Sequence, residues 1–320
     1  MSQVTVAARP PEPDFEAITD EELIVYREAE NGWRASGAAR AILGEPDPGA
    51  AIEWREVALP GRDLPVRVYR PAPADGDEAA AQTDLPLVVH VHGGGFVGTA
   101  AQCDWTSSRL AARLPALVVS VEHRLVAPDS PLANAADDGW DALQHVLRHV
   151  EQWGVDPARI AVFGESFGGL ISALTAVRAR DAGLELRAQV LVNPVVDVTD
   201  TMDGYPSVAE YAYSPTRAMP LLRLLRRLAV PPGTESRAFS PLYADDLSGL
   251  APALVVVPTQ DAVADHGRRY AERLREAGTP VRLSEYPGAR HAFLTLPGVE
   301  PQAEAAQAEI IAFLGAALAK

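Results

Sequence analysis

The chain is nearly devoid of lysine. Lys320 is the only one, and the remaining basic residues are arginines, which we read as genome composition rather than function. Positive charge is scarce altogether: 28 basic residues stand against 43 acidic ones, for a formal net charge of −15. A nucleic-acid partner needs a basic face, so this balance argues against one. Cysteine is scarcer still. With Cys103 alone no intramolecular disulfide forms, and the fold does not depend on an oxidising compartment. Cys103 sits in Ala-Gln-Cys-Asp-Trp without an activating motif and is expected as a small, packed or partly exposed residue. No apolar run approaches the roughly 20 residues of a membrane span. No basic segment followed by an apolar core opens the chain, and Pro10, Pro11 and Pro13 interrupt its first apolar stretch. A signal peptide is therefore not expected, and the default expectation is a cytoplasmic protein.

What is present is a globular composition, 48% hydrophobic over 320 residues, enough for one large α/β domain or two small ones. The first thirteen residues read as a mobile, proline-rich tail. A helical pattern covers Asp20 to Leu43. Strand-like segments follow at Ile52–Leu59 and Leu64–Tyr69, and residues 71–84 read as a surface loop. Short, β-rich apolar runs then recur at Leu87–Val91, Ala116–Val121, Ile160–Phe163, Ala188–Val192, Ala253–Val257 and Val281–Tyr286. Helical patterns lie between them at Trp140–Val150, Gly168–Ala182 and Asp265–Ala277. Continuous apolar runs suit strands buried on both faces. Their alternation with helices predicts an α/β fold, a mostly parallel sheet covered on both sides. Residues 198–250 exceed what one crossover needs. They include a helix, Met219 to Val230, whose leucines oppose Arg223, Arg226 and Arg227, and we expect an insertion covering the top of the sheet.

Gly164-Glu165-Ser166-Phe167-Gly168 lies between a predicted strand and a predicted helix. A tight turn there lifts the serine hydroxyl above the sheet edge, and only glycines leave room on either side. The helix N-terminus behind it favours a developing anion. Ser166 is accordingly the candidate nucleophile. Upstream, His92-Gly93-Gly94-Gly95-Phe96 follows the strand Leu87–Val91. Acyl transfer places negative charge on the carbonyl oxygen, and backbone N–H groups reach it best from glycines. Gly94 and Gly95, with the N–H of Phe167, are the candidate oxyanion hole. Phe96 and Phe167 are assigned to the substrate-binding wall.

A serine nucleophile in this setting needs a base and an orienting acid, in the order Ser, Asp/Glu, His. Only His266 and His291 follow Ser166. His291 falls just past the last strand, where catalytic groups of open α/β sheets gather. His266 falls in a helix start and reads as a surface or capping residue. Asp261, a few residues beyond the strand Ala253–Val257, is favoured as the acid. Asp265 is the competitor and is better placed as a helix N-cap. His145 and His149 stand four apart on a helix, but a third metal ligand is not evident and a solvated face is expected.

With these residues assembled, the chain resembles the hormone-sensitive-lipase family of carboxylesterases, the bacterial family IV group. The resemblance runs from about Leu85 to the C-terminus. His-Gly-Gly-Gly-Phe is similar to the family's oxyanion motif, and Gly-Glu-Ser-Phe-Gly-Gly to its Gly-Asp-Ser-Ala-Gly-Gly. Val121-Glu-His-Arg-Leu-Val-Ala-Pro resembles its Tyr-Arg-Leu-Ala-Pro segment. Asp261-Ala-Val-Ala-Asp-His-Gly resembles its Asp-Pro-Leu-x-Asp-Glu-Gly. Tyr286-Pro-Gly-Ala-Arg-His-Ala-Phe resembles its Tyr-Pro-Gly-x-x-His-Gly-Phe.

The resemblance implies an α/β-hydrolase fold with a sheet of the eight-stranded type. It also implies a helical cap, built from residues 1–50 and from an insertion at 198–235, over a catalytic domain of 51–197 and 236–320. It implies a Ser-His-Asp carboxylesterase of small or medium acyl esters, with no metal or organic cofactor and a small-molecule ester as partner. Such enzymes often dimerise through an edge strand or helix, so a homodimer is an open expectation. Four departures stand out. Phe167 replaces a small residue, Glu165 an aspartate and His123 a tyrosine, and Asn193 stands where tyrosine is common. In addition, Ala262 fills the place of a proline. These leave a specialised deacetylase, lactonase or acyl-transfer enzyme as the alternative. A non-catalytic binding module, as in the plant gibberellin receptors that lost the histidine, is disfavoured by the presence of Ser166, Asp261 and His291.

Overall fold

A computed structural model describes residues 8–73, 83–211 and 218–320. Most of the expected 71–84 loop, and the start of the proline-rich tail, lie outside the described residues. Among the described residues eight strands form one sheet: β1 (Ala50–Leu59), β2 (Arg62–Pro71), β3 (Leu85–Val91), β4 (Leu117–Val121), β5 (Val155–Glu165), β6 (Ala188–Val192), β7 (Ala253–Gln260) and β8 (Val281–Arg290). Their order is β1-β2-β4-β3-β5-β6-β7-β8. β2 is antiparallel to both β1 and β4, and every pair from β4 to β8 is parallel.

The parallel strands are runs of Val, Leu and Ile because helices cover both of their faces. Alternate side chains enter different layers. Val89, Val162, Leu191 and Val255 join one core, and their neighbours Val88, Phe163, Val190 and Leu254 join the other. The helices are α1 (Asp20–Arg34), α2 (Arg40–Leu43), α3 (Asp104–Arg113), α4 (Leu132–Arg148), α5 (Val150–Trp153), α6 (Phe167–Asp181), α7 (Pro206–Tyr211), α8 (Ala218–Ala229), α9 (Ala264–Glu276) and α10 (Ala303–Ala317). Buried residues of α4, α6, α8 and α9 belong to the first core, and those of α3 and α10 to the second.

The helical pattern from Asp20 to Leu43 is not one helix. α1 starts at a capping box, with Thr19 Oγ1 accepting from Glu22 N and Thr19 N donating to the Glu22 carboxylate, and it stops at Arg34. A single 3₁₀ turn then leads into α2. α9 corrects two expectations. Its N-cap is Val263 rather than Asp265, and His266 is fully buried rather than at the surface. The imidazole of His266 meets the Met202 carbonyl at 3.1 Å through Nε2 and accepts from Val196 N at 3.4 Å through Nδ1. Asp265 instead accepts from Ser207 N at 2.9 Å and from Arg268, tying α9 to α7.

Candidate active site

Four strands of the sheet end one residue short of the expected site. β3 stops at Val91 before His92-Gly93-Gly94-Gly95, β5 at Glu165 before Ser166, β7 at Gln260 before Asp261, and β8 at Arg290 before His291. Parallel strands share a direction, so these four ends open onto the same edge.

Ser166 occupies φ 53°, ψ −115°, a conformation that L-residues rarely adopt. Strain of this kind persists only where the surroundings enforce it. Here Ser166 N donates to Val192 O at 2.9 Å, and Ser166 O accepts from Val195 N and Leu170 N. The turn is also too tight for side chains. A Cβ on Gly164 would lie 2.1 Å from Gly168 O, and one on Gly168 would lie 2.1 Å from Val91 O. The result is a hydroxyl held above the N-terminus of α6.

Ser166 Oγ lies 2.8 Å from His291 Nε2, and His291 Nδ1 lies 2.8 Å from Asp261 Oδ2. Asp261 is buried, and its other oxygen accepts from Val263 N at 3.0 Å. Burial pulls the His291 pKa down, but the charge of Asp261, their hydrogen bond and the more remote charge of Glu165 outweigh it. The net shift is upward from the ordinary 6.5. The Asp261–His291 contact fixes the imidazole with Nδ1 donating, which leaves Nε2 free to accept from the serine. A second serine–histidine contact, Ser120 to His90 at 2.8 Å, is wholly buried within the sheet, where a substrate has no access.

The glycine loop is held from outside. Gly93 O accepts from Gln102 Nε2, Gly95 O from Val126 N and Phe96 O from Arg27 Nε, at 2.7–2.9 Å. Arg27 also donates to Val126 O, and Asn31 Oδ1 accepts from Gly98 N at 2.7 Å. α1 therefore clamps the loop. Gly94 adopts φ +104°, and a Cβ there would sit 1.8 Å from Val97 O. Among the described residues, the N–H groups of Gly94, Gly95 and Phe167 have no partner in the chain.

Phe167 is 1% exposed. Its ring is beside Gly95 and packs at 5.7 Å on His123, which stacks at 4.3 Å on His92. Burial pushes both imidazoles down to about 3, so they are neutral spacers at neutral pH. The histidine in the place of the family's tyrosine thus backs the Phe167 ring. Phe96 packs on Phe15 at 5.8 Å. Leu225 of α8 closes over Gly95, since a Cβ there would meet Leu225 Cδ1 at 2.3 Å. Asn193 is buried at φ 37° beyond β6, with both amide atoms unpartnered.

Behind the serine, Glu165 is 1% exposed. It accepts from Thr295 Oγ1 at 2.6 Å and lies 3.7 Å from both His90 Nε2 and Cys103 Sγ. It connects the serine turn to the segment after His291 and to β3. Burial pushes the Cys103 thiol well up, so Cys103 is a protonated, packed residue. Arg290, next to the histidine, is gripped by buried Glu300 at 2.6 Å. Sequence patterns pointed to none of Arg27, Asn31, Gln102, Thr295 and Glu300. Their only signal is three-dimensional.

A family model described as the α/β-hydrolase fold matches residues 88–295. Carboxylesterase NlhH of Mycobacterium tuberculosis is 34% identical over 329 aligned positions, covering 99% of each chain. Ethyl acetate hydrolase of Pseudomonas putida is 33% identical over 267, covering 82% of each. The hyperthermophilic esterase of the archaeon Pyrobaculum calidifontis superposes with a TM-score of 0.81 at 31% identity, covering 94% of this chain and 95% of the other. The chain belongs to the α/β-hydrolase family, in its hormone-sensitive-lipase-like group, and is an ester hydrolase. Among the described residues no helix is long and apolar enough to cross a membrane.

Proposed function

We propose that the chain hydrolyses carboxylic esters of small or medium acyl groups, with Ser166 as nucleophile, His291 as general base and Asp261 as orienting acid. The observation that carries this is the unbroken contact line Ser166–His291–Asp261, with 2.8 Å at each step. Ser166 Oγ attacks the ester carbonyl while His291 Nε2 takes its proton. The oxyanion is held by the N–H groups of Gly94, Gly95 and Phe167, aided by the α6 N-terminus. Collapse of the tetrahedral adduct breaks the C–O bond, and His291 returns the proton to the leaving alkoxide. Water, deprotonated by the same imidazole, then releases the acid from the acyl-enzyme. Asp261 stabilises the imidazolium and stays ionised throughout.

The described parts of residues 1–50 and 198–235 form the cap over the described parts of the catalytic domain, 51–197 and 236–320. α1 gripping the glycine loop and Leu225 over Gly95 support this division. Phe96 and Phe167 bound the acyl side of the site. The buried Phe167 ring, backed by His123, restricts the space beside the hole, which favours short acyl groups. Replacing Ser166 by Ala should abolish turnover of p-nitrophenyl butyrate while leaving the fold intact by circular dichroism. Near-normal rates in that variant would overturn the assignment. Strong turnover of a single acetylated metabolite, with negligible rates on a simple ester series, would instead favour the specialised deacetylase.

A further inference from the structure

α8 carries a feature the reaction above does not use. Arg223, Arg226 and Arg227 stand at i, i+3 and i+4 and share one side of the helix. They line a cavity of about 380 Å³ together with Met202, Leu222 and Val230. That volume lies in the roughly 300–1,000 Å³ range of small-molecule sites. The wall combines apolar side chains, of which Met202 and Leu222 are buried, with cationic ones. The chain as a whole carries a net charge of −15, so this cationic lining runs against its overall balance. Among the described residues Asp203 is the one carboxylate in the lining, and it approaches only Arg223, at 3.9 Å. Arg223 has a second distant neighbour in Glu16, at 3.8 Å. Both contacts are too long for hydrogen bonds. The guanidinium groups of Arg226 and Arg227 have no partner among the described residues, although Arg226 is half-buried.

A half-buried guanidinium without a partner forgoes charge-assisted hydrogen bonds that a planar anion would supply, and a carboxylate fits its fork of donors. We propose that this trough binds alkyl carboxylates, the carboxylate on Arg226 and Arg227 and the alkyl stem along Leu222, Val230 and Met202. A neutral ester lacks the charge that the arginines recognise. An amphiphilic monoanion combines it with a stem the apolar side chains of the lining accept. The site is built without Ser166, Asp261 or His291, so it does not depend on the proposed catalytic assignment. Its position is nevertheless connected to them. Leu225, next to Arg226, covers Gly95, and the Met202 carbonyl is bonded to His266 of the helix that follows Asp261.

The test is calorimetric titration of sodium octanoate into the full chain carrying Ser166→Ala, at low and at high salt, with 1-octanol as the neutral control. Saturable octanoate binding is expected, weakened by salt, with octanol binding much more weakly. In the Arg226→Met, Arg227→Met double variant octanoate affinity should fall at least about tenfold, as expected for loss of charge-assisted bonds. With Ser166 restored, that double variant should keep wild-type turnover of p-nitrophenyl butyrate, since neither arginine belongs to the catalytic machinery. Equal binding of octanol and octanoate, or unchanged octanoate affinity in the double variant, would overturn the proposal. Two further arms separate the sources of the anion. Octanoate inhibiting wild type but not the double variant marks a product site. A preference for monoethyl suberate over ethyl octanoate, lost in the double variant, marks a substrate subsite. If neither effect appears while octanoate still binds through the arginines, the carboxylate is an effector of neither kind and the site stands as a binding site alone.

Discussion

Gly94 and Gly95 differ in why they must be glycines, and a pair of substitutions separates the reasons. At Gly94 the backbone has φ +104°, and an added Cβ would fall 1.8 Å from a carbonyl oxygen, Val97 O. Backbone cannot swing away as a side chain does, so Gly94→Ala forces the loop itself to move. Holding alanine in such a conformation costs about 1–3 kcal/mol. Relaxing it rotates the N–H away from the oxyanion position, and one lost donor costs about 2.7–4 kcal/mol of transition-state stabilisation, a 10²–10³-fold fall in kcat. At Gly95 the backbone lies outside the left-handed region. The nearest obstacle is Leu225 Cδ1 at 2.3 Å, the far end of a flexible side chain, followed by the Phe167 ring at 3.1 Å. Gly95→Ala should therefore cost about tenfold or less, by overpacking. Leu225→Ala should recover most of that loss in the double variant, whereas it should not rescue Gly94→Ala. The assay is steady-state hydrolysis of p-nitrophenyl butyrate by the four variants, with urea denaturation to check stability. Wild-type kcat for Gly94→Ala, or equal rescue of both variants by Leu225→Ala, would refute the reasoning.

Five further outcomes follow from the structure. His291 must be neutral to act as base and its pKa lies above 6.5, so the acid limb of kcat/KM should have its midpoint above pH 6.5. Glu165→Gln should move that midpoint down, because the Glu165 charge contributes to the rise; an unmoved midpoint contradicts the electrostatic link. A raised folded-state value also means that His291 contributes stability fully present below pH 6.5 and lost as pH rises through the folded value, which urea midpoints across that window will report. Ala292 sits at φ 61° directly after His291, where the family motif has glycine. Ala292→Gly should relieve the strain and change stability by no more than about 1 kcal/mol, in the stabilising direction; a clear loss would show that Ala292 is not strained. Asp138 is fully buried between Arg62 and Arg124. Asp138→Ala should destabilise by about 1–3 kcal/mol in urea denaturation, because Arg124 N and both guanidinium groups lose an acceptor while Arg62, partly exposed, keeps Asp141.

Some of this was legible in the sequence, for local reasons. The elbow, the glycine motif and the His291 segment each announce a strand end followed by a turn, and β5, β3 and β8 end there. Asp261, which lies closer to its strand than Asp265, is the carboxylate that meets His291. α10 escaped notice because Ala303–Ala317 is apolar almost all round, so no periodic stripe marks it. α3 was hidden by Thr106, Ser107 and Ser108, which are buried although polar by type. His266 reads from the sequence as a surface or capping residue because it falls at a helix start, whereas its ring is turned inward to Met202 O. The loop anchors were beyond reach for a different reason. Arg27 and Phe96 are 69 residues apart, and their bond joins a side chain to a backbone carbonyl, which leaves no trace in residue type.

The contact between Ser166 and His291 spans 125 residues of chain. A ribosome adding about 5–20 residues per second needs roughly 6–25 s to cover that distance. Throughout that interval the nascent chain carries Ser166 without the histidine we propose as its base. On the proposed assignment, reactivity toward esters is withheld by the order of synthesis and appears only when β8 has paired with β7 and brought the histidine after it alongside. An esterase arranged this way needs no inhibitory segment to keep its nucleophile quiet while it is being made.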